Sequence, residues 1–257
     1  MKVVILCGGR GERLREETEF RPKPMINIGG RPILWHIMKT YSMYGYNDFV
    51  LALGYKGDMI RRYFIEYMWM NNPITVDMRN GNSIDIDFCE KENWKVTLVD
   101  TGENSLKGSR LKQLEPYIDG NTFMATYGDG LSDVDINRLV SYHMSHGKIA
   151  TVTGVNLVSK FGRIKISEND VESFIEKPID DDYSNGGFFV FNRKIFDYLT
   201  EDRSCDLEAG VFEKLANDKQ MKVYKHDGNW YCMDTPREME YLNKLWDTGK
   251  AFWKGWG

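Results

Sequence analysis

An α/β fold, with a mostly parallel central sheet flanked by helices and a mixed β extension, is predicted by three features of this 257-residue chain. The apolar run Val3-Val4-Ile5-Leu6 passes directly into a glycine-rich loop at residues 7–14 (CGGRGERL). Apolar strand-like runs then alternate with helix-period segments, the pattern of β-α units built on a parallel sheet. The second half is richer in short strand-like stretches, which implies a mixed extension.

The elements follow in order. Pro32-Ile33-Leu34 opens a helix with Ile33, Leu34, Ile37, Met38 and Tyr41 on one face, and Gly45 ends it. Residues 48–53 read as a second strand and 57–70 as a second amphipathic helix carrying Ile60, Phe64 and Tyr67. Residues 83–89 and 95–99 alternate polar and apolar, as short strands open on one face do. A helix is expected over 107–117, then a buried strand over 122–127 that runs into Gly128-Asp129-Gly130. A helix at 135–146, strands at 149–155, 161–166, 171–176 and 187–191, and a last helix begun by Pro236 complete the chain. The aromatic stretches at 63–70 and 252–256 read as core and packing surface, with a subunit interface as the second reading.

Ligands of such sheets bind at the carboxyl ends of the strands. The first loop is not a dinucleotide fingerprint, because Leu14 stands where a third glycine is needed, nor a Walker A loop, because Gly-Lys-Ser/Thr is absent. What stands there is Gly8-Gly9-x-Gly11-x-Arg13, followed by Pro22-Lys23-Pro24-Met25. Bare N–H groups with an arginine and a lysine close behind suit a nucleoside triphosphate. The two prolines give Lys23 a defined direction.

Asp129 sits between two glycines at a strand end, where an Asp-Gly turn is the plain alternative. Asp234 precedes the Pro236 helix, where N-capping is the plain alternative. Together the two aspartates could hold one Mg²⁺ that keeps several waters and bridges substrate phosphates. Glu176-Lys177-Pro178 leaves a lysine at a sheet end, suited to a phosphate dianion or simply to the surface, and Asn185-Gly186-Gly187 lets backbone approach a polyhydroxylated ligand or makes a turn.

Composition narrows the field. A net charge of -4 without a basic excess argues against a nucleic-acid partner. The apolar start is too short for a secretory leader and no segment has membrane-spanning length, so a cytoplasmic protein is expected. Cys7, Cys89, Cys205 and Cys232 are far apart, and neither zinc nor a disulfide framework is suggested. The four histidines, His36, His143, His146 and His226, read as packing or surface residues.

These motifs in their order, with Tyr127-Gly128-Asp129-Gly130, Asp100-Thr101-Gly102, Gly108-x-Arg110-Leu111-Lys112, Phe188-Phe189 and Met233-Asp234-Thr235, resemble the sugar-1-phosphate nucleotidyltransferases over the whole chain. The resemblance implies a Rossmann-like, glycosyltransferase-A-like fold in a single domain at 1–257. Its nucleotide-binding half would span about 1–130, its sugar-binding half about 131–240, and a C-terminal helix and aromatic tail about 236–257. It implies Mg²⁺-dependent transfer of a cytidylyl group from CTP to α-D-glucose 1-phosphate, giving CDP-glucose and pyrophosphate for polysaccharide biosynthesis, by a homo-oligomer such as a hexamer.

Carried onto this chain, catalysis would fall to Arg13, Lys23, Asp129, Lys177 and Asp234, with Asp129 and Asp234 holding Mg²⁺. Leu6, Cys7, Gly8, Gly9, Gly11, Glu12, Arg13, Lys23, Tyr127 and Gly128 would surround the nucleotide, with Thr101, Gly102, Ser105, Gly108 and Arg110 beside the base. Gly162, Glu176, Lys177, Asn185 and Gly186 would hold the sugar phosphate. One departure is Glu12, an acid where the family has threonine, which triphosphate repels unless it points away or pairs with Arg10, Arg13 or Arg15. The alternatives are the same chemistry on another sugar 1-phosphate or nucleotide, and a catalytically silent nucleotide-sugar-binding regulatory subunit. A dehydrogenase is disfavoured by the missing third glycine.

Overall fold

Alternation at the first strand sets the layers of the molecule: Val3 and Ile5 bury into one face of the central sheet, Val4 and Leu6 into the other. The computed structural model describes residues 1–79, 83–87, 89, 91–158, 161–176 and 179–256. Eight strands make the sheet: β1 (Val3–Leu6), β2 (Asp48–Leu53), β3 (Lys95–Asp100), β4 (Thr122–Tyr127), β5 (Ala150–Val158), β6 (Ile179–Asn185), β7 (Phe189–Asn192) and β8 (Met221–His226). Their order is β6-β5-β7-β4-β1-β2-β3, and β8 runs along the remaining side of β5. β4, β1, β2 and β3 are mutually parallel; β7 turns antiparallel between β4 and β5.

Helices α1 (Ile33–Ser42), α2 (Gly57–Ile65), α3 (Lys107–Gln113), α4 (Ile136–His146), α5 (Val211–Asn217) and α6 (Pro236–Asp247) cover the faces. α1 buries Ile33, Leu34, Ile37, Met38 and Tyr41, the face its spacing predicts. The expected helix at 57–70 breaks at Glu66 into α2 and a single turn, Tyr67–Met70. α3 stops at Gln113 and becomes a 3-10 turn at Glu115–Tyr117, because Pro116 has no N–H to continue it.

Among the described residues, four two-stranded ribbons lie off the sheet. Two are open to solvent: Ile74–Asp77 with Ser83–Ile86, and Arg163–Ser167 with Asp170–Ile175. The third, Gly130–Ser132 paired antiparallel with Trp230–Cys232, is the one that positions the site. The C-terminal aromatic tail folds back onto α1, where Trp253 is 1% exposed and its indole N–H donates to His36 Nδ1 at 3.2 Å. No helix among the described residues is long and apolar enough to cross a membrane.

Candidate active site

A cavity of about 550 Å³ opens at the carboxyl ends of β1 and β4. Its floor is the first loop, in which Gly8 and Gly11 are demanded by position. A Cβ on Gly8 would lie 2.2 Å from the Arg110 guanidinium, and Gly11 has a left-handed φ of 65°. The loop spends its carbonyls internally: Gly8 O accepts from Arg110 and from Tyr55 N–H, and Gly11 O from Leu14 N–H and Thr18 Oγ1. Among the described residues the amides of Gly8, Gly9 and Gly11 make no backbone hydrogen bond, as an anion cradle requires.

Asp129 leaves the end of β4, and the ribbon above it delivers Asp234. Cys232 pairs with Gly130, and Met233 N–H donates to Asp129 O at 3.0 Å. Asp234 therefore reaches the site from an antiparallel ribbon, not from a parallel strand end. It does not cap α6 either. Thr235 does so, accepting from Glu238 N–H, while Glu238 Oε2 accepts from the Asp234 N–H at 2.7 Å.

Lys23 joins the two acids: Nζ lies 2.6 Å from Asp129 Oδ2 and 2.5 Å from Asp234 Oδ1. Arg13 adds an ion pair to Asp234 at 2.9 Å, from a side chain that is 76% exposed. Burial alone lowers a lysine, but the Asp129 charge, with Cys232 and the hydrogen bonds to both aspartates, outweighs it and holds the ammonium above its ordinary range. Burial likewise opposes ionisation of Asp234. The Lys23 hydrogen bond and charge, and then Arg13, outweigh it and hold the carboxyl below its ordinary value.

Asp129, Cys232 and Asp234 each offer one ligand atom, all within 4.8 Å of one another. Burial and then the Asp129 charge push the Cys232 thiol up. Two carboxylate oxygens with room for waters and phosphate fit a hard divalent cation. Burial and Asp129 also raise Cys7, so neither thiol is a nucleophile.

This arrangement, a glycine loop facing two aspartates shared by one lysine, is what charge-neutralising phosphoryl chemistry needs. A model of the nucleotidyl transferase family matches residues 2–251. The chain belongs to that family. It is 44% identical over 256 residues to a protein named probable glucose-1-phosphate cytidylyltransferase in Bacillus subtilis (strain 168), with 100% of both chains covered. It is 45% identical over 258 residues to the glucose-1-phosphate cytidylyltransferase of Salmonella typhi, again with 100% of both covered. Among solved structures, the inositol-1-phosphate CTP transferase from T. maritima superposes with a TM-score of 0.69, covering 100% of this chain and 97% of that one. At 17% identity that likeness speaks to the fold.

For a sugar-1-phosphate nucleotidyltransferase, the cavity gathers much of what the sequence nominates. Leu6, Cys7, Gly8, Gly9, Gly11, Arg13 and Lys23 line it, as do Ser105, Arg110, Tyr127, Gly128, Asp129, Asn185 and Asp234. Glu12 does not. It is exposed and borders a second depression with Arg10, Arg15 and Tyr55, so its charge turns away from the loop's ligand face.

Thr101 and Gly102 are not cavity wall but buttress Arg110. The Thr101 hydroxyl donates to Leu53 O at 2.7 Å and accepts from Arg110, and Gly102 O accepts from Arg110 at 2.7 Å. Arg110, 3% exposed, also donates to Leu53 O, Gly8 O and Glu103 O, which ties the glycine loop to α3. Gly108 lies against Cys205, where a Cβ would come within 2.8 Å of the backbone.

Gly162 and Glu176 flank the open ribbon of Arg163–Ser167 and Asp170–Ile175 and stand outside the cavity wall. A Cβ on Gly162 would strike the Phe174 ring and approach Glu176 Oε2 to 3.1 Å. Gly186 lies against Val155, its carbonyl taking the Trp230 indole N–H at 2.7 Å. Lys177 lies outside the described residues. Lys107, Glu208, Trp230 and Cys232 line the cavity without any motif to announce them. Only the run Glu208-Ala-Gly210 before a helix hinted at a turn there.

Proposed function

We propose that this protein transfers the cytidylyl group of CTP to α-D-glucose 1-phosphate, giving CDP-glucose and pyrophosphate. The observation that carries the reading is identity of 44–45% over the full length of relatives bearing that name, with a paired-carboxylate site at the cavity floor.

A phosphate oxygen of the sugar phosphate attacks the α-phosphorus of CTP in line. The bond from that phosphorus to the bridging oxygen of the β-phosphate breaks, and pyrophosphate leaves with the electron pair. The attacking oxygen is already anionic, so no general base is required. The chain's work is orientation and charge neutralisation. The amides of Gly8, Gly9 and Gly11 hold the triphosphate, Arg13 binds its outer phosphates and Lys23 the α-phosphate. Lys177 grips the sugar phosphate, and Asn185 with Glu176 takes sugar hydroxyls. Asp129 and Asp234 would hold Mg²⁺, which supplies positive charge to the phosphates when bound. The whole chain acts as one domain, its nucleotide half at about 1–130. The open ribbon with Ile164, Ile166, Val171 and Phe174 exposed supports assembly into a homo-oligomer.

The test is pyrophosphate release across a matrix of nucleoside triphosphates and sugar 1-phosphates with Mg²⁺. CTP with glucose 1-phosphate is expected to be fastest. Absence of turnover with every pair overturns the reading, and a faster pair reassigns the substrates.

A further inference from the structure

Glu208 lies in the segment before α5 and forms part of the cavity wall. Its Oε1 accepts from the Tyr127 hydroxyl and pairs with the Lys107 ammonium at 2.6 Å. The Tyr127 oxygen in turn accepts from Asn185 Nδ2 at 2.9 Å. Four side chains from α3, the 205–210 segment, β4 and β6 are thus linked across one side of the cavity. Oε2 of Glu208 is shielded from water and has no hydrogen-bond partner among the described residues.

A buried carboxylate oxygen without a donor costs free energy, and native structures retain one where something else supplies the donor. Anionic phosphate is excluded as that partner by charge. A hydroxyl is not: it donates one proton to a carboxylate oxygen and is present in abundance on a nucleotide sugar. Lys107, 42% exposed, pairs with Glu208 and lies over the Tyr127 ring on the same wall; if it turns to a ligand phosphate, rotation of the Glu208 side chain presents its carboxylate to the ring beside it.

We propose that Glu208 is a specificity-determining residue that accepts a hydrogen bond from a ring hydroxyl of the bound nucleotide sugar, its carboxylate released by Lys107 and steadied by the Tyr127 hydroxyl. The inference rests on the proposed reaction. Both the hexose and the ribose offer this chemistry, and the experiment separates them.

Calorimetric titration of the full chain with CDP-glucose and its monodeoxy analogues, at each hexose position and at the ribose 2′ and 3′ positions, measures each hydroxyl. One deoxy analogue is expected to bind the native protein roughly 10–100-fold more weakly, the range for a hydrogen bond to a charged group. In Glu208→Ala the same deoxygenation should cost less than about 2-fold, because the acceptor is already gone. Tyr127→Phe removes one hydrogen bond to Glu208 and one from Asn185 but keeps the Glu208 acceptor, so the deoxygenation penalty should persist even if overall affinity falls. Loss of the penalty at a hexose position places the contact on the sugar, and at a ribose position on the nucleotide. Penalties that are the same in native protein and Glu208→Ala at every position overturn the proposal while leaving the reaction intact. Failure of CDP-glucose itself to bind overturns both.

Discussion

Lys23 is the residue whose loss should be felt in both stability and chemistry. Lys23→Met keeps the stem and removes an ammonium that is 10% exposed and bonded to two carboxylates at 2.5 and 2.6 Å. Each charge-assisted bond contributes about 1.5 kcal/mol, so about 3 kcal/mol is at stake. The aspartates are 20–25% exposed and regain some hydration, which keeps the loss below that of a fully buried broken pair. For a chain of this size that lowers Tm by roughly 6–12 °C.

A pH signature accompanies the loss. The Asp234 carboxyl is held below its unfolded value of 3.8, so its contribution is present above that pH and disappears as pH falls through the lower folded value. Without Lys23 the folded value rises, and acid unfolding should begin at higher pH. A divalent cation should stabilise the variant more than the native protein, whose carboxylates already have a cation. Turnover should fall roughly 10²–10³-fold. Thermal melts from pH 3 to 8, with and without Mn²⁺, test this. A Tm within about 2 °C of native and an unchanged acid limb would refute the assignment of Lys23 as the link between the two acids.

Other outcomes follow from the same geometry. Asp129→Asn should fold normally by circular dichroism yet release pyrophosphate roughly 10²-fold more slowly; native turnover would remove Asp129 from the reaction. Gly8→Ala places a methyl 2.2 Å from the Arg110 guanidinium and should cost about 1–3 kcal/mol with weaker CTP binding, whereas Gly9→Ala, with nothing within 4 Å, should stay within about 0.5 kcal/mol; urea melts giving the opposite order refute the loop geometry. Burial pushes His36 down to about 4 from 6.5, so stability should decline as pH falls through 6.5 toward 4, by roughly 3 kcal/mol in total, with a change in Trp253 fluorescence. That slope should flatten in His36→Gln, and persistence of it in the variant would point elsewhere. Thiol reagents at neutral pH should modify the exposed Cys89 first and spare Cys7 and Cys232 until unfolding; peptide mapping reads the order.

Local signals sufficed for the parallel half of the fold and for the first loop. Val3–Leu6, the α1 face and the Asp135 cap of α4 are written in periodicity and capping chemistry, which act over a few residues. The strands Ile74–Asp77, β6 and β8 were not legible, because mixed polarity and exposure leave no clear period. Sequence motifs nominated the residues that come together at one cavity: the glycine loop, Arg13, Lys23 and the two aspartates.

Only the tertiary structure decided how they divide the work. Asp234 could not be distinguished from a helix cap until the ribbon at Gly130–Ser132 brought it to Asp129 and Thr235 took the cap. That Thr101 and Gly102 hydrogen-bond Arg110, and that Glu12 borders a depression outside the main cavity, follow from packing alone. Glu208 carried no motif at all. Each of these depends on the direction of one side chain relative to residues tens to hundreds of positions away, and that direction is set by packing, on which sequence spacing is silent.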